Sequence, residues 1–353
     1  MKMTNAIVLA VAVVLVLCPG LSPGALFRGD VGPPDWEDAA ALLPAPQIVI
    51  ATVNVVSTKG KGTVKRGGEM EVELLDMTIK VQRVIKGTPL AGSVIVEGLV
   101  RPTNQDTYLG RQVPEPGHSY VLFLQQKEGK KVFEPFVSTE FGLRVERVPD
   151  EVAGVSSAIG ALKLLAKANA QAREEIVAFR WLIFLGDVFV AGEDLEFCLK
   201  LTGDERLAVR GSAIAVLVEH VPTHDGLYES AMAFLSEASA KKGQLGLGRA
   251  RRKISKRLLA TVPETEVNGA LKEWLASDIR DLQQAALTSV RKTADASLID
   301  DVVALMQRTA DRDIQYACIV ALSAARSVPG PGYRTFHKDP DKYVREWAKM
   351  SDK

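Results

Sequence analysis

Cysteine is scarce in this chain, with three residues in 353, at positions 18, 198 and 318. A disulfide scaffold needs denser cysteine, so none is expected. Surplus charge is missing too. Lys and Arg number 44 against 43 Asp and Glu, a net charge of +1, which excludes a globally basic nucleic-acid coat. No nucleic-acid partner is expected. Beyond residue 17 no apolar run approaches the roughly 20 residues that cross a ~30 Å hydrocarbon core, so no transmembrane segment is expected.

What is present is ordinary globular material, 47% apolar and 25% charged, in a chain long enough for two domains with cores of their own. Lys2 precedes an unbroken apolar stretch from Ala6 to Leu17, and Pro19, Gly20, Pro23 and Gly24 follow. A charged start, a short apolar region and small residues read as a secretory signal over residues 1–25. Ser22 and Gly24 suit cleavage after Gly24, whereas Cys18 and Gly20 suit an earlier site. A lipoprotein reading acylates Cys18, although Leu17 is bulky for that motif. The chain is therefore expected to be secreted, periplasmic or part of the cell envelope. Residues 26–45, with Pro33, Pro34 and Pro44, read as a Pro-rich tether with one helical turn near Trp36 to Leu43.

From residue 46 to 150 the periodicity is that of strands. Ile48 to Val56 forms one, followed by a flexible cationic turn expected at Lys59-Gly60-Lys61-Gly62. Val72, Leu74, Met77, Ile79 and Val81 alternate with polar residues, the period-2 mark of a half-buried strand. Further strands are expected at Val94 to Val96, Val121 to Leu124 and Val132-Phe133. Five or six strands in about 100 residues predict a small antiparallel β-barrel or sandwich. The run Val81 to Gly87 and the later Gly117-x-x-Tyr120 leading into Val121-Leu122-Phe123-Leu124 resemble the netrin module, an OB-like barrel shared with tissue inhibitors of metalloproteinases. Those inhibitors act through an N-terminal cysteine. This β segment has none, so the resemblance implies the barrel and not the inhibition.

From residue 151 to 353 the periodicity is helical and repeats itself. Val209-Arg210-x-x-Ala213-x-x-x-Leu217 aligns with Leu282-Gln283-x-x-Ala286-x-x-x-Val290, Ile314-Gln315-x-x-Cys318-x-x-x-Leu322 and Val344-Arg345-x-x-Ala348. A weaker copy is Ala250-Arg251-x-x-Ile254-x-x-x-Leu258, and Val177, Trp181 and Leu185 form a degenerate first one. From Val209 the anchors lie 41, 32, 32 and 30 residues apart. Residues i, i+4 and i+8 share one helix face, and the small middle residue lets a partner helix come close. Asp204, Asp278, Asp311 and Asp339 precede these helices, where a short acid caps an N-terminus. The pattern resembles the HEAT repeat, which implies an α-α superhelix of stacked helix pairs whose work is to bind macromolecules.

Catalytic and metal-binding signatures are weak. Pro222 lies between His220 and His224 and prevents one helix from presenting both imidazoles, so an interhelix loop is expected rather than a metal site. His118 follows a turn glycine and reads as a surface residue. Gly243 to Gly248 lacks the Lys-Ser/Thr of a phosphate loop and reads as a hinge. Cys198 and Cys318 sit in apolar helical patterns and read as buried small hydrophobes. Phe179, Trp181, Phe184 and Phe189 read as core at the start of the helical half, either capping the solenoid or sealing it against the β domain, with a ligand groove as the lesser alternative.

The most suggestive polar feature runs from Lys241 to Arg257 without an acidic residue. On a helix, Arg249, Arg252, Lys253 and Lys256 share one face, opposite Ala250, Ile254 and Leu258. Solvation is one reading of that face and an anionic partner the other. The whole predicts a non-catalytic protein-binding or scaffolding module, with no cofactor and no metal, binding a protein of unknown identity through the solenoid. The alternative is an anionic-surface binder, for lipid headgroups or acidic glycan, using those four cations. A lyase or hydrolase comes third, since no acid/base pair stands at a useful spacing.

Overall fold

The structure is a computed structural model describing residues 39–65, 69–102, 114–136, 142–241 and 247–325, with isolated positions beyond. The signal segment, most of the tether, most of the glycine-rich loop and most of the last repeat copy lie outside the described residues.

Six strands come first: β1 (Gln47–Lys65), β2 (Glu69–Lys86), β3 (Ser93–Pro102), β4 (Ser119–Gln126), β5 (Phe133–Pro135) and β6 (Gly142–Val145). They pair in the order β1-β2-β3-β5-β4, and β4 returns to β1, so five strands close a small barrel of OB-like strand order with β6 added beside β4. The sandwich alternative is thus set aside, and the barrel is not wholly antiparallel. The β4–β5 hairpin inserts β5 next to β3, and the two run parallel where Val96 meets Phe133.

The cationic turn expected at Lys59 to Gly62 is corrected. β1 continues through it to Lys65, with Gly60 opposite Leu74 and Gly62 opposite Val72. Continued pairing with β2 satisfies the backbone there, and a register shift between Thr58 and Gly60 takes up the irregularity. The end of β2 does need a glycine. Gly87 has φ +105°, and a Cβ on it would meet the Gln47 carboxamide oxygen at 2.2 Å. Gln47 is buried and brackets the turn: its Nε2 donates to the Thr88 carbonyl and its Oε1 accepts from the Thr88 N–H, both at 2.9 Å.

Period-2 alternation sorts the barrel side chains into two cores. Val49, Ala51 and Val53 of β1 and Tyr120, Leu122 and Leu124 of β4 fill the barrel. Ile48, Ile50, Val121 and Phe123 face the other way and join the core of the helices. β4 is therefore apolar on both faces, as a strand covered on both sides must be. Residues 37–353 form one compact unit.

After a 3-10 turn (Asp150–Gly154) the described chain holds ten helices: α1 (Ala158–Ala170), α2 (Glu175–Asp187), α3 (Ala191–Leu201), α4 (Leu207–His220), α5 (Leu227–Ala240), α6 (Leu247–Arg257), α7 (Val267–Ala276), α8 (Arg280–Thr293), α9 (Ile299–Arg308) and α10 (Arg312–Ala324). The even-numbered helices carry the repeat anchors and pack on one another in chain order, from α2 to α10. Small residues make that stacking possible. Ala213, Ala286 and Cys318 are fully buried, and a Cβ on Gly211 would sit 2.2 Å from a Phe234 ring carbon.

The residue after three of the anchors makes a recurrent clasp. Arg210 Nη1 donates to the Asp204 carbonyl at 3.3 Å, Gln283 Nε2 to Ser277 at 2.6 Å and Gln315 Nε2 to Thr309 at 2.9 Å. Each clasp spans six residues; Ser277 and Thr309 directly follow α7 and α9, whereas Asp204 lies three residues beyond the end of α3. The expected acidic caps are partly present. Asp311 caps α10, its carboxylate accepting from the Asp313 N–H at 2.9 Å and the Ile314 N–H at 3.3 Å. Asp204 and Ser277 instead bond one step earlier, to the N–H groups of Arg206 and Ile279, and Asp278 does not cap α8.

Candidate functional surface

α6 carries the four cations singled out above. Ala250, Ile254 and Leu258 are buried against the stack. The cations divide into two sets. Arg249 and Lys253 are half-buried and lean on α4, where they border a small void with Ser212 and Ala215. Lys253 Nζ lies 3.3 Å from a Glu219 carboxylate oxygen. Arg252 and Lys256 are exposed, and the Arg252 Nε donates to the Gly248 carbonyl at 3.3 Å. Neighbouring Arg251 forms an ion pair with Asp281 of α8. Part of the basic run thus neutralises acids on adjacent helices, and Arg252, Lys256 and Arg257 remain directed to solvent.

His220 and both cysteines of the stack are engaged in packing. His220 closes α4, stacks on Phe189 with ring centroids 4.8 Å apart, and donates from Nε2 to the Gly186 carbonyl at 2.8 Å. His224 lies in the following turn and donates to the Asp225 carbonyl at 2.9 Å. Cys198 and Cys318 are free and buried, and burial pushes both thiols up to about 12, far from a reactive thiolate. Among the described residues no group of three or more His, Cys, Asp or Glu has the arrangement of a metal site, and no helix is long and apolar enough to cross a membrane.

One polar cluster was not legible beforehand. At the seam between barrel and helices, Arg144 of β6 places Nη2 2.9 Å from His118 Nδ1 and 3.0 Å from Glu174, and Nη1 3.4 Å from Glu115. Glu174 precedes α2, and the Glu115 N–H donates to the Tyr120 hydroxyl at 3.0 Å. Burial pushes the Tyr120 phenol above its ordinary range. The four residues come from positions 115–174, so only the closed barrel brings them together. Their bonds join β4, β6 and α2, a positioning role for the seam.

No protein-family model matches this sequence, and no curated protein is significantly similar to it. Its class rests on the geometry above: a small closed barrel followed by a stack of helix pairs.

Proposed function

We propose that the chain is an exported, non-catalytic protein-binding or scaffolding module that works through the surface of its helix stack. The stack is read as HEAT-like and the barrel as netrin-like. The observation that carries the reading is the clasp made by Arg210, Gln283 and Gln315, which recurs in three copies of the repeat. Residues that recur at this period are spent on packing. The outward side chains of the pairs are left free to vary over a long surface, the arrangement repeat proteins use for macromolecular partners. Export rests on the charged and apolar residues 2–17.

Cross-linking of the full chain in its native compartment, followed by mapping of the linked residues, tests this. Links from one recurrent protein to helices α1 to α10 are expected. Links confined to the barrel strands, or turnover of a small substrate by the purified chain, would overturn it.

A second reading has its own observation, the exposure of Arg252, Lys256 and Arg257. It makes α6 a contact for anionic headgroups or glycans. Binding to vesicles of anionic lipid should then weaken with salt and with Arg252→Gln/Lys256→Gln. Equal binding by that variant removes this reading.

A further inference from the structure

The described steps of the stack differ in length. Val209 and Ala250 are 41 residues apart, against 32 for the next two steps. A cleft of about 710 Å³ lies between the start of α5 and α7. One wall is the turn from Thr223 into the first turn of α5. The other is the connection from Ala260 to Glu266 and the face of α7 as far as Glu273. The first wall falls within that long step and the second within the 32-residue step that follows it.

Its charge differs from that of the other seams. Elsewhere cations bridge successive pairs: Lys167 to Asp194 at 2.6 Å, Lys253 to Glu219 at 3.3 Å, Arg280 to Asp311 at 2.7 Å. Here Asp225 and Glu229 stand on one wall, Glu266 and Glu273 on the other, and no Lys or Arg is among the lining residues. Among the described residues none of these four carboxylates is in an ion pair. Like charges on facing walls repel, and a cleft lined by one sign concentrates the opposite one.

The floor is amphipathic. Tyr228 accepts a hydrogen bond from the Trp274 indole N–H at 3.3 Å, so its ring spans the two walls. Burial pushes its phenol upward, and the nearby Glu273 and Glu229 charges add to the rise. Val262 and Pro263 supply further apolar surface. The volume is far beyond the ~30 Å³ of one water and falls in the range of sites for organic groups, roughly 300–1,000 Å³.

We propose that this cleft binds a Lys- or Arg-bearing peptide segment of a protein partner. The aliphatic stems would lie on Tyr228, Val262 and Pro263, and the charged heads would meet the four carboxylates. The inference rests on the protein-binding reading above and names the chemistry of the partner.

The test is fluorescence anisotropy of the full chain with a labelled Gly-Arg-Lys-Ala-Arg-Lys-Gly peptide, against the same peptide with Gln in place of every cation. The basic peptide alone is expected to bind. Glu229→Gln/Glu273→Gln should weaken binding about tenfold at ~0.05 M salt, and less at higher salt. Its circular dichroism should be unchanged. Glu151→Gln/Glu196→Gln, at exposed acids outside the cleft, should leave binding intact. Absent binding, or equal loss in both variants, would overturn the cleft as a peptide site. Spermine binding as tightly as the peptide would overturn it in favour of a small polycation. None of these failures touches the wider protein-binding reading, which the cross-link map decides.

Discussion

The indole N–H of Trp181 donates to the backbone carbonyl of Arg144 at 2.8 Å, tying α2 to β6. The same indole meets Phe184 edge-on, with centroids 5.7 Å apart, and Phe184 lies 6.5 Å from Phe123 of β4. Barrel and stack therefore share one apolar seam. Trp181→Ala is expected to cost about 3–5 kcal/mol. The native chain should lose strand and helix signals together in urea, and the variant should lose them in two steps. Two steps already in the native chain would contradict the shared core.

The clasps should differ in strength. The Ser277 carbonyl also accepts from Arg308 at 3.1 Å, whereas Gln315 is the donor to the Thr309 carbonyl. Gln315→Ala is therefore expected to cost about 1–2 kcal/mol and Gln283→Ala less than 1 kcal/mol. Urea midpoints at constant m-value measure both, and the reverse order would count against the clasp.

Gly211 marks the tightest approach between α4 and α5. Gly211→Ala should cost about 1–3 kcal/mol by overpacking against Phe234. Adding Phe234→Leu should recover part of the loss in a thermal melt. No recovery would mean that the backbone of α4, and not the ring, resists the change.

Asp194 is buried between Lys163 Nζ at 2.9 Å and Lys167 Nζ at 2.6 Å. Burial alone would push the carboxyl up, but the hydrogen bonds from the two ammonium groups outweigh it and hold it below the usual range. A depressed carboxyl stabilises the fold above its unfolded value of about 3.9, and the stabilisation is lost as pH falls through the lower, folded value. Asp194→Asn should cost about 3 kcal/mol at pH 7 and should flatten the acid side of the stability curve. An unchanged acid limb would show that other carboxylates set it.

Much of this fold is legible in the sequence because its signals are local. Alternation marks β2, and the anchors at Val209, Leu282 and Ile314 mark the stacked helices. The extended β1 was hidden because Lys59-Gly60-Lys61-Gly62 has the composition of a turn, and only pairing with Leu75 to Val72 holds it straight. The cleft carboxylates were hidden for a related reason. Asp225, in a turn, and Glu273, on α7, are far apart in sequence, and their meaning comes from the missing counter-charge across the gap. The basic run was visible, but its pairing with Glu219 and Asp281 depends on neighbours some 30 residues away.

The central claim, that the chain binds a protein through its helix stack, is tested most directly by hydrogen–deuterium exchange on the full chain with and without the captured partner. The account predicts added protection on the helices, including the turn at Thr223 to Glu229 and the wall from Ala260 to Glu273, with the barrel strands unchanged. Protection confined to β1, β2 and β3, with the helices exchanging as before, would contradict it.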